Sequence, residues 1–125
     1  MKNIKFNYLY RDSGNYKKFV SVIFSNPNEI DLTELEALVK SKLIWDTWFY
    51  AEEWKLPEIF TDIVDFRIDP TWHEFEGIEY TDEASNTLLN LEEFISTVEK
   101  TKWIYWTEMK CKWIPAKKHL SVTNT

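Results

Sequence analysis

Ile4-Lys5-Phe6-Asn7-Tyr8-Leu9-Tyr10-Arg11, then Asp12-Ser13-Gly14-Asn15, then Tyr16-Lys17-Lys18-Phe19-Val20-Ser21-Val22-Ile23-Phe24-Ser25, is the stretch that decides the fold. In an extended chain successive side chains point to opposite faces, so Ile4, Phe6, Tyr8 and Tyr10 share one side. The Asp-Ser-Gly-Asn cluster is turn chemistry, and the aromatic and β-branched run over 16–25 suits a second strand. A β-hairpin over residues 4–25 is therefore expected. Asn26-Pro27-Asn28 ends it, and Asp31 with Glu34 three residues on forms a capping box that starts a helix. Leu32, Leu35, Leu38, Val39 and Leu43 recur at helical spacing, which predicts a helix ending near residue 43 with one face on the sheet.

Further along, residues 44–71 carry Trp45, Trp48, Phe49, Tyr50 and Trp54 among charges, then Pro57, and fit neither period. Short strands and loops are expected there. Residues 72–81 recover an alternation, with Gly77 marking a β-bulge. Asn90 caps a second helix through Leu91, Phe94, Ile95 and Val98, with Glu92 and Glu93 in its first turn. Its apolar face can be followed through Lys102, Trp106, Met109 and Trp113, which favours a long last helix, although Trp103-Ile104-Tyr105-Trp106 also suits a strand. The expected class is α+β: a small antiparallel sheet opened by the hairpin and packed by two helices, in the order β-β-α-β-β-α. One domain is expected over residues 1–125, with 100–125 as a basic, Trp-rich C-terminal extension.

The chain has 125 residues, 44% of them hydrophobic and 17% aromatic, with seven Trp, a composition that excludes disorder. The single cysteine, Cys111, rules out an internal disulfide, and the alternating start differs from the apolar run of a signal peptide, so a cytoplasmic location is expected. The net charge of −6 conceals a division. Residues 1–27 hold five basic groups and one acid, residues 28–99 four basic and 19 acidic, and residues 100–125 six basic and one acidic. An acidic middle attracts basic surfaces, unless the segments fold together and their charges interleave.

Chemistry-bearing motifs are few. His73-Glu74 starts like a metalloprotease helix, but the residue four after His73 is Gly77, so the second ligand is missing. Two histidines, one cysteine and no Ser in a glycine elbow leave little material for nucleophilic catalysis. Two glycines rule out a glycine-rich phosphate cradle. Asp62, Asp65 and Asp69 offer a cation site, and Glu74 with Glu76 a carboxylate pair, both at the frequency expected by chance in an acidic chain. His73 reads as a structural, hydrogen-bonded histidine. Lys100, Lys102, Lys110 and Lys112, interleaved with Trp103, Trp106 and Trp113, have the composition of a surface that stacks bases and neutralises phosphate, or of an interface rich in aromatic anchors.

The segments Asn7-Tyr8-Leu9-Tyr10-Arg11-Asp12, Gly14-Asn15-Tyr16-Lys17, Val22-Ile23-Phe24-Ser25-Asn26-Pro27, Trp72-His73-Glu74-Phe75-Glu76 and Tyr80-Thr81-Asp82-Glu83 resemble a set of small uncharacterised bacterial proteins. The resemblance covers roughly residues 4–99 and implies a shared fold without an assigned activity. In size, acidity and aromatic content the chain is also similar to phage anti-CRISPR proteins, which implies an inhibitor of an RNA-guided nuclease of the RNA-targeting type VI class.

The functional expectation is a non-catalytic, cofactor-free binder of a macromolecule, in first place an anti-CRISPR-like inhibitor. Trp72, Glu74, Glu76, Glu79, Asp82 and Glu83 would face a basic nuclease channel, and the Lys- and Trp-rich extension would contact the partner or its guide RNA. The alternatives are an interaction module of housekeeping or immunity type whose hairpin edge pairs with a partner strand, and a small metal-dependent hydrolase using carboxylates.

Overall fold

The computed structural model describes residues 2–102. The hairpin forms β1 (Asn3–Arg11) and β2 (Lys17–Phe24), with Ile4 opposite Phe24, Phe6 opposite Val22 and Arg11 opposite Lys17. Asp12 closes the turn: its Oδ1 accepts from the N–H groups of Gly14 and Tyr16, while its own N–H donates to the Tyr16 carbonyl. A short side-chain acceptor thus stands in for backbone inside a tight turn.

Helix α1 (Leu32–Ser41) starts where the capping chemistry predicts, with the Asp31 carboxylate accepting from the Glu34 N–H at 3.0 Å. Strand β3 is only Trp48–Phe49. It is reached through a tight turn in which Trp45 and Asp46 both have positive φ, 49° and 60°, and the Thr47 N–H returns to the Ile44 carbonyl. This mirror-image turn matches the twist of flanking strands, but is usually built from Asn and Gly. A 3-10 turn at Ala51–Trp54 follows, then β4 (His73–Thr81) and α2 (Leu91–Glu99), whose N-cap Asn90 accepts from the Glu93 N–H.

The antiparallel sheet has the order β2-β1-β4-β3, which is the α+β arrangement read from the sequence. The bulge also falls as expected. Asn7 pairs with Gly77 and Tyr8 with Phe75, so Glu76 is the inserted residue. The second helix ends at Glu99, with Lys100 as its cap, rather than running on through Lys102. The rest of the proposed continuation, from Trp103, lies outside the described residues.

Both helices cover one face of the sheet. Ile4, Phe6, Tyr8 and Tyr10 are fully buried there, with Val22 and Phe24 from β2, Phe49 from β3, Leu35, Val39 and Leu43 from α1 and its C-terminal flank, and Leu91, Phe94 and Val98 from α2. Trp54 stacks on Phe49 at 4.8 Å and donates its indole N–H to the Thr101 hydroxyl. A buried Trp is well placed when its one polar atom finds a partner.

Candidate functional site

The candidate site is built by the long irregular segment after Trp54, residues 55–72. Loops of this length without structure of their own are uncommon in compact domains and usually serve a function. This one is held by polar groups of the hairpin. The Tyr8 hydroxyl donates to the Pro57 carbonyl at 2.6 Å, and the Tyr10 hydroxyl to the Pro70 carbonyl at 2.7 Å. The Thr61 hydroxyl donates to Asp12 Oδ2, and both the N–H and hydroxyl of Ser13 donate to Asp69 Oδ1. Burial raises the Tyr8 hydroxyl's pKa above its ordinary value. Burial, with the charges of Asp69 and Asp12, pushes Tyr10 up to about 12. Both tyrosines therefore stay neutral donors at physiological pH.

His73 is the centre of this anchorage. Its ring is fully buried among Tyr8, Tyr10, Phe49 and Phe60, with centroids 5.3–6.3 Å away, and its Nε2 lies 3.0 Å from both the N–H and the carbonyl oxygen of Ile59. Burial lowers its pKa to about 4, partly opposed by the Ile59 backbone. The imidazole is neutral at pH 7 and sealed from solvent, and it holds the loop at Ile59.

The loop's outer surface is apolar. Ile63 is 87% exposed, Phe66 53% and Ile68 69%; across the hairpin turn, Tyr16 is 72% exposed and Phe19 57%. Ile63, Ile68 and Tyr16 line a cleft of about 700 Å³ between the two segments, together with Lys17, Lys18, Asp62, Asp65 and Asp69. Scattered apolar residues on a surface are ordinary, whereas several converging on one cleft mark an interaction site.

The acids of this cleft are already engaged. Asp65 is clasped by the Arg67 guanidinium and backbone N–H, which hold its carboxyl below the usual range. The Asp65 N–H and the two Ser13 donors do the same for Asp69. Among the described residues no three His, Cys, Asp or Glu side chains are grouped to hold a metal ion.

The acids singled out in β4 and after it lie on or beside the sheet face that the helices leave open. Glu74 takes a two-pronged contact from Arg11, at 2.8 and 3.1 Å, and Glu79 accepts from the Asn7 amide. Lys2 pairs with Asp82 and Lys5 with Glu83, both at 2.8 Å. These cations hold the Asp82 and Glu83 carboxyls below their usual values, as the partner carboxylates raise Lys5 and Arg11. The basic start and the acidic middle therefore interleave along this strip. Glu76, the bulge residue, is exposed, and Trp72 is half-buried with its ring 6.0 Å from that of Trp48.

Lys100 and Lys102 line a second, smaller cleft with Lys55, beside Glu53 and Glu93. Trp103, Trp106, Lys110, Lys112 and Trp113 lie outside the described residues. The cleft residues Tyr16, Ile63 and Ile68, and the exposed Phe19 beside them, were not singled out by the sequence reading. The available signal was Val64-Asp65-Phe66-Arg67-Ile68-Asp69, an alternation of apolar and charged residues with the period of a strand, although the segment is irregular in the structure.

Among the described residues no helix is long and apolar enough to cross a membrane. No protein-family model matches the chain, and no curated protein and no solved structure matches it either.

Proposed function

We propose that the protein is a non-catalytic binder of another protein, and that it binds through the cleft between the hairpin turn and the 55–72 loop. The observation that carries this reading is the convergence of exposed Tyr16, Ile63 and Ile68 on one cleft whose walls are fixed from behind by Tyr8, Tyr10, Asp12 and His73. An apolar surface presented on a rigid frame loses little conformational freedom on binding, which favours affinity. The chemistry of the cleft favours binding over catalysis: its carboxylates are occupied by internal donors and the neighbouring imidazole is sealed.

A second reading keeps the RNA-guided nuclease as partner, with this chain as its inhibitor. It draws support from residues 28–99, where 19 acids face four basic groups, an excess that internal pairs with Lys2, Lys5 and Arg11 do not neutralise. Complementary charge would speed encounter with a basic channel. In that case Glu74, Glu79, Asp82 and Glu83 must exchange an internal donor for a partner's, which reduces their net contribution.

Affinity capture from host lysate, with and without RNase, compares the wild-type chain with an Ile63→Asp/Ile68→Asp variant. The cleft reading expects a stoichiometric protein partner that the variant loses. Retention of that partner by the variant, with loss on charge reversal of Asp82 and Glu83, would overturn the cleft in favour of the acidic strip.

A further inference from the structure

The cleft opens beside an unfinished sheet edge. Strand β2 is the outermost strand of the order β2-β1-β4-β3. Its rim is partly closed by Asn86, whose Oδ1 accepts from the Ile23 N–H, whose backbone N–H donates to the Ile23 carbonyl, and whose side-chain amide donates to the Ser21 carbonyl. One residue thus reproduces the contacts of a neighbouring strand at that end. These bonds also set the parity. If Ile23 and Ser21 turn their main-chain groups outward, so do Phe19 and Lys17, because the period along a strand is two. Among the described residues no hydrogen bond reaches the outward groups of Phe19 or Lys17. Lys17 and Lys18 line the cleft and Phe19 is exposed, so the open rim and the apolar cleft form one surface.

We infer that the occupant of the cleft is an extended segment of a partner protein that adds antiparallel to β2, continuing outward from the position Asn86 already fills. Strand addition obtains affinity from main-chain hydrogen bonds and specificity from alternate side chains, and both elements are present here. The residue opposite Phe19 exchanges both main-chain bonds with it and lies against its ring. The residue opposite Lys18 projects to the other face, into the cleft beside Ile63. The residue opposite Lys17, which has no ion pair among the described residues, is acidic. Lys17 and Lys18 also account for the edge remaining open, since charge on an edge strand discourages indiscriminate pairing.

This inference rests on the cleft reading, and the two can fail separately. The probe is the peptide Thr-Val-Val-Ile-Glu, capped at both ends, whose central Val faces Phe19 and whose Ile faces the cleft. Titrated into the full chain and followed by amide NMR, it is expected to bind with a Kd below about 1 mM, to shift Lys17–Ser21 and Ile63, and to slow exchange of the Phe19 amide. N-methylation of the central Val removes the donor to the Phe19 carbonyl and should weaken binding at least tenfold, whereas N-methylation of the preceding Val, whose N–H points away, should weaken it far less. The matching pair on the protein is Phe19→Ala, which keeps the outward N–H, and Phe19→Pro, which removes it without touching the ladder to β1, as edge strands permit. Phe19→Pro should lose several-fold more affinity than Phe19→Ala. Equal loss in each pair, or no binding at that concentration, overturns strand addition. A natural partner that Ile63→Asp/Ile68→Asp loses but Phe19→Pro keeps leaves the cleft standing and removes only the strand. One that both variants keep removes the cleft reading as well.

Discussion

Replacing His73 by Phe should abolish a specific part of the protein's acid sensitivity. In the folded chain the imidazole is fully buried and its pKa is lowered to about 4, against an ordinary value near 6.5. Above pH 6.5 it is neutral in both the folded and the unfolded states, and the shift has no effect. As pH falls from 6.5 toward 4 the unfolded chain takes up a proton that the folded chain refuses, so stability falls across that window and levels off below it. At pH 5 the two pKa values give a loss of about 2 kcal/mol, from RT times the logarithm of the ratio of the two binding polynomials. The depressed carboxyls of Asp65, Asp69, Asp82 and Glu83 carry stability that is lost only as pH falls below their unfolded values, a window under pH 4.5, and they are present in both proteins. Urea unfolding followed by Trp fluorescence at pH 7.5 and pH 5.0 isolates the imidazole. The wild type should lose about 2 kcal/mol more than His73→Phe between the two pH values. Equal losses would mean that the imidazole can be protonated in place, and the sealed anchor of the 55–72 loop would be refuted.

Three other outcomes follow from the same contacts. Trp54→Ala removes a fully buried ring stacked on Phe49 and its bond to Thr101, and should cost about 3–5 kcal/mol in urea unfolding. Asp12→Ala leaves the Gly14 and Tyr16 N–H groups and the Thr61 hydroxyl without their acceptor, and should cost about 2–3 kcal/mol while speeding amide exchange at Gly14 and Tyr16. Asp82→Lys/Glu83→Lys exposes Lys2 and Lys5 to like charge, yet should leave capture of the partner within about twofold at physiological salt, because exposed pairs are screened and lie apart from the cleft. A tenfold loss would restore the acidic strip to the interface.

The parts of the fold legible in the sequence were those whose signal is local. The alternation of Ile4, Phe6, Tyr8 and Tyr10, the Asp31 and Asn90 caps and the bulge beside Gly77 each depend on neighbours a few residues away. Short strands were expected within 44–71, but the position of β3 was not legible because a two-residue strand has no period, and its Trp45-Asp46 turn uses left-handed residues that sequence rules reserve for Asn and Gly. The site was hidden for a different reason. Tyr8 meets Pro57 and Tyr10 meets Pro70 across 49 and 60 residues, contacts that no spacing rule connects. The acids of β4 and just after it were noticed because charge is conspicuous in a sequence, but the pairing of Asp82 and Glu83 with Lys2 and Lys5, some 80 residues earlier, exists only in the folded chain. Val64, Phe66 and Ile68 alternate with charged residues as a strand would, yet the segment is irregular, and the exposure of Ile63 and Ile68 is a consequence of the loop's anchors.

Hydrogen–deuterium exchange of the chain, free and bound to the partner recovered by affinity capture, tests the central claim most directly. Binding through the cleft predicts new protection confined to the hairpin turn and start of β2, around Tyr16–Phe19, and to the loop around Ile63–Ile68, with the helices unchanged. Protection concentrated on Glu74–Glu83 and absent from the cleft would contradict it and identify the acidic strip as the surface the partner uses.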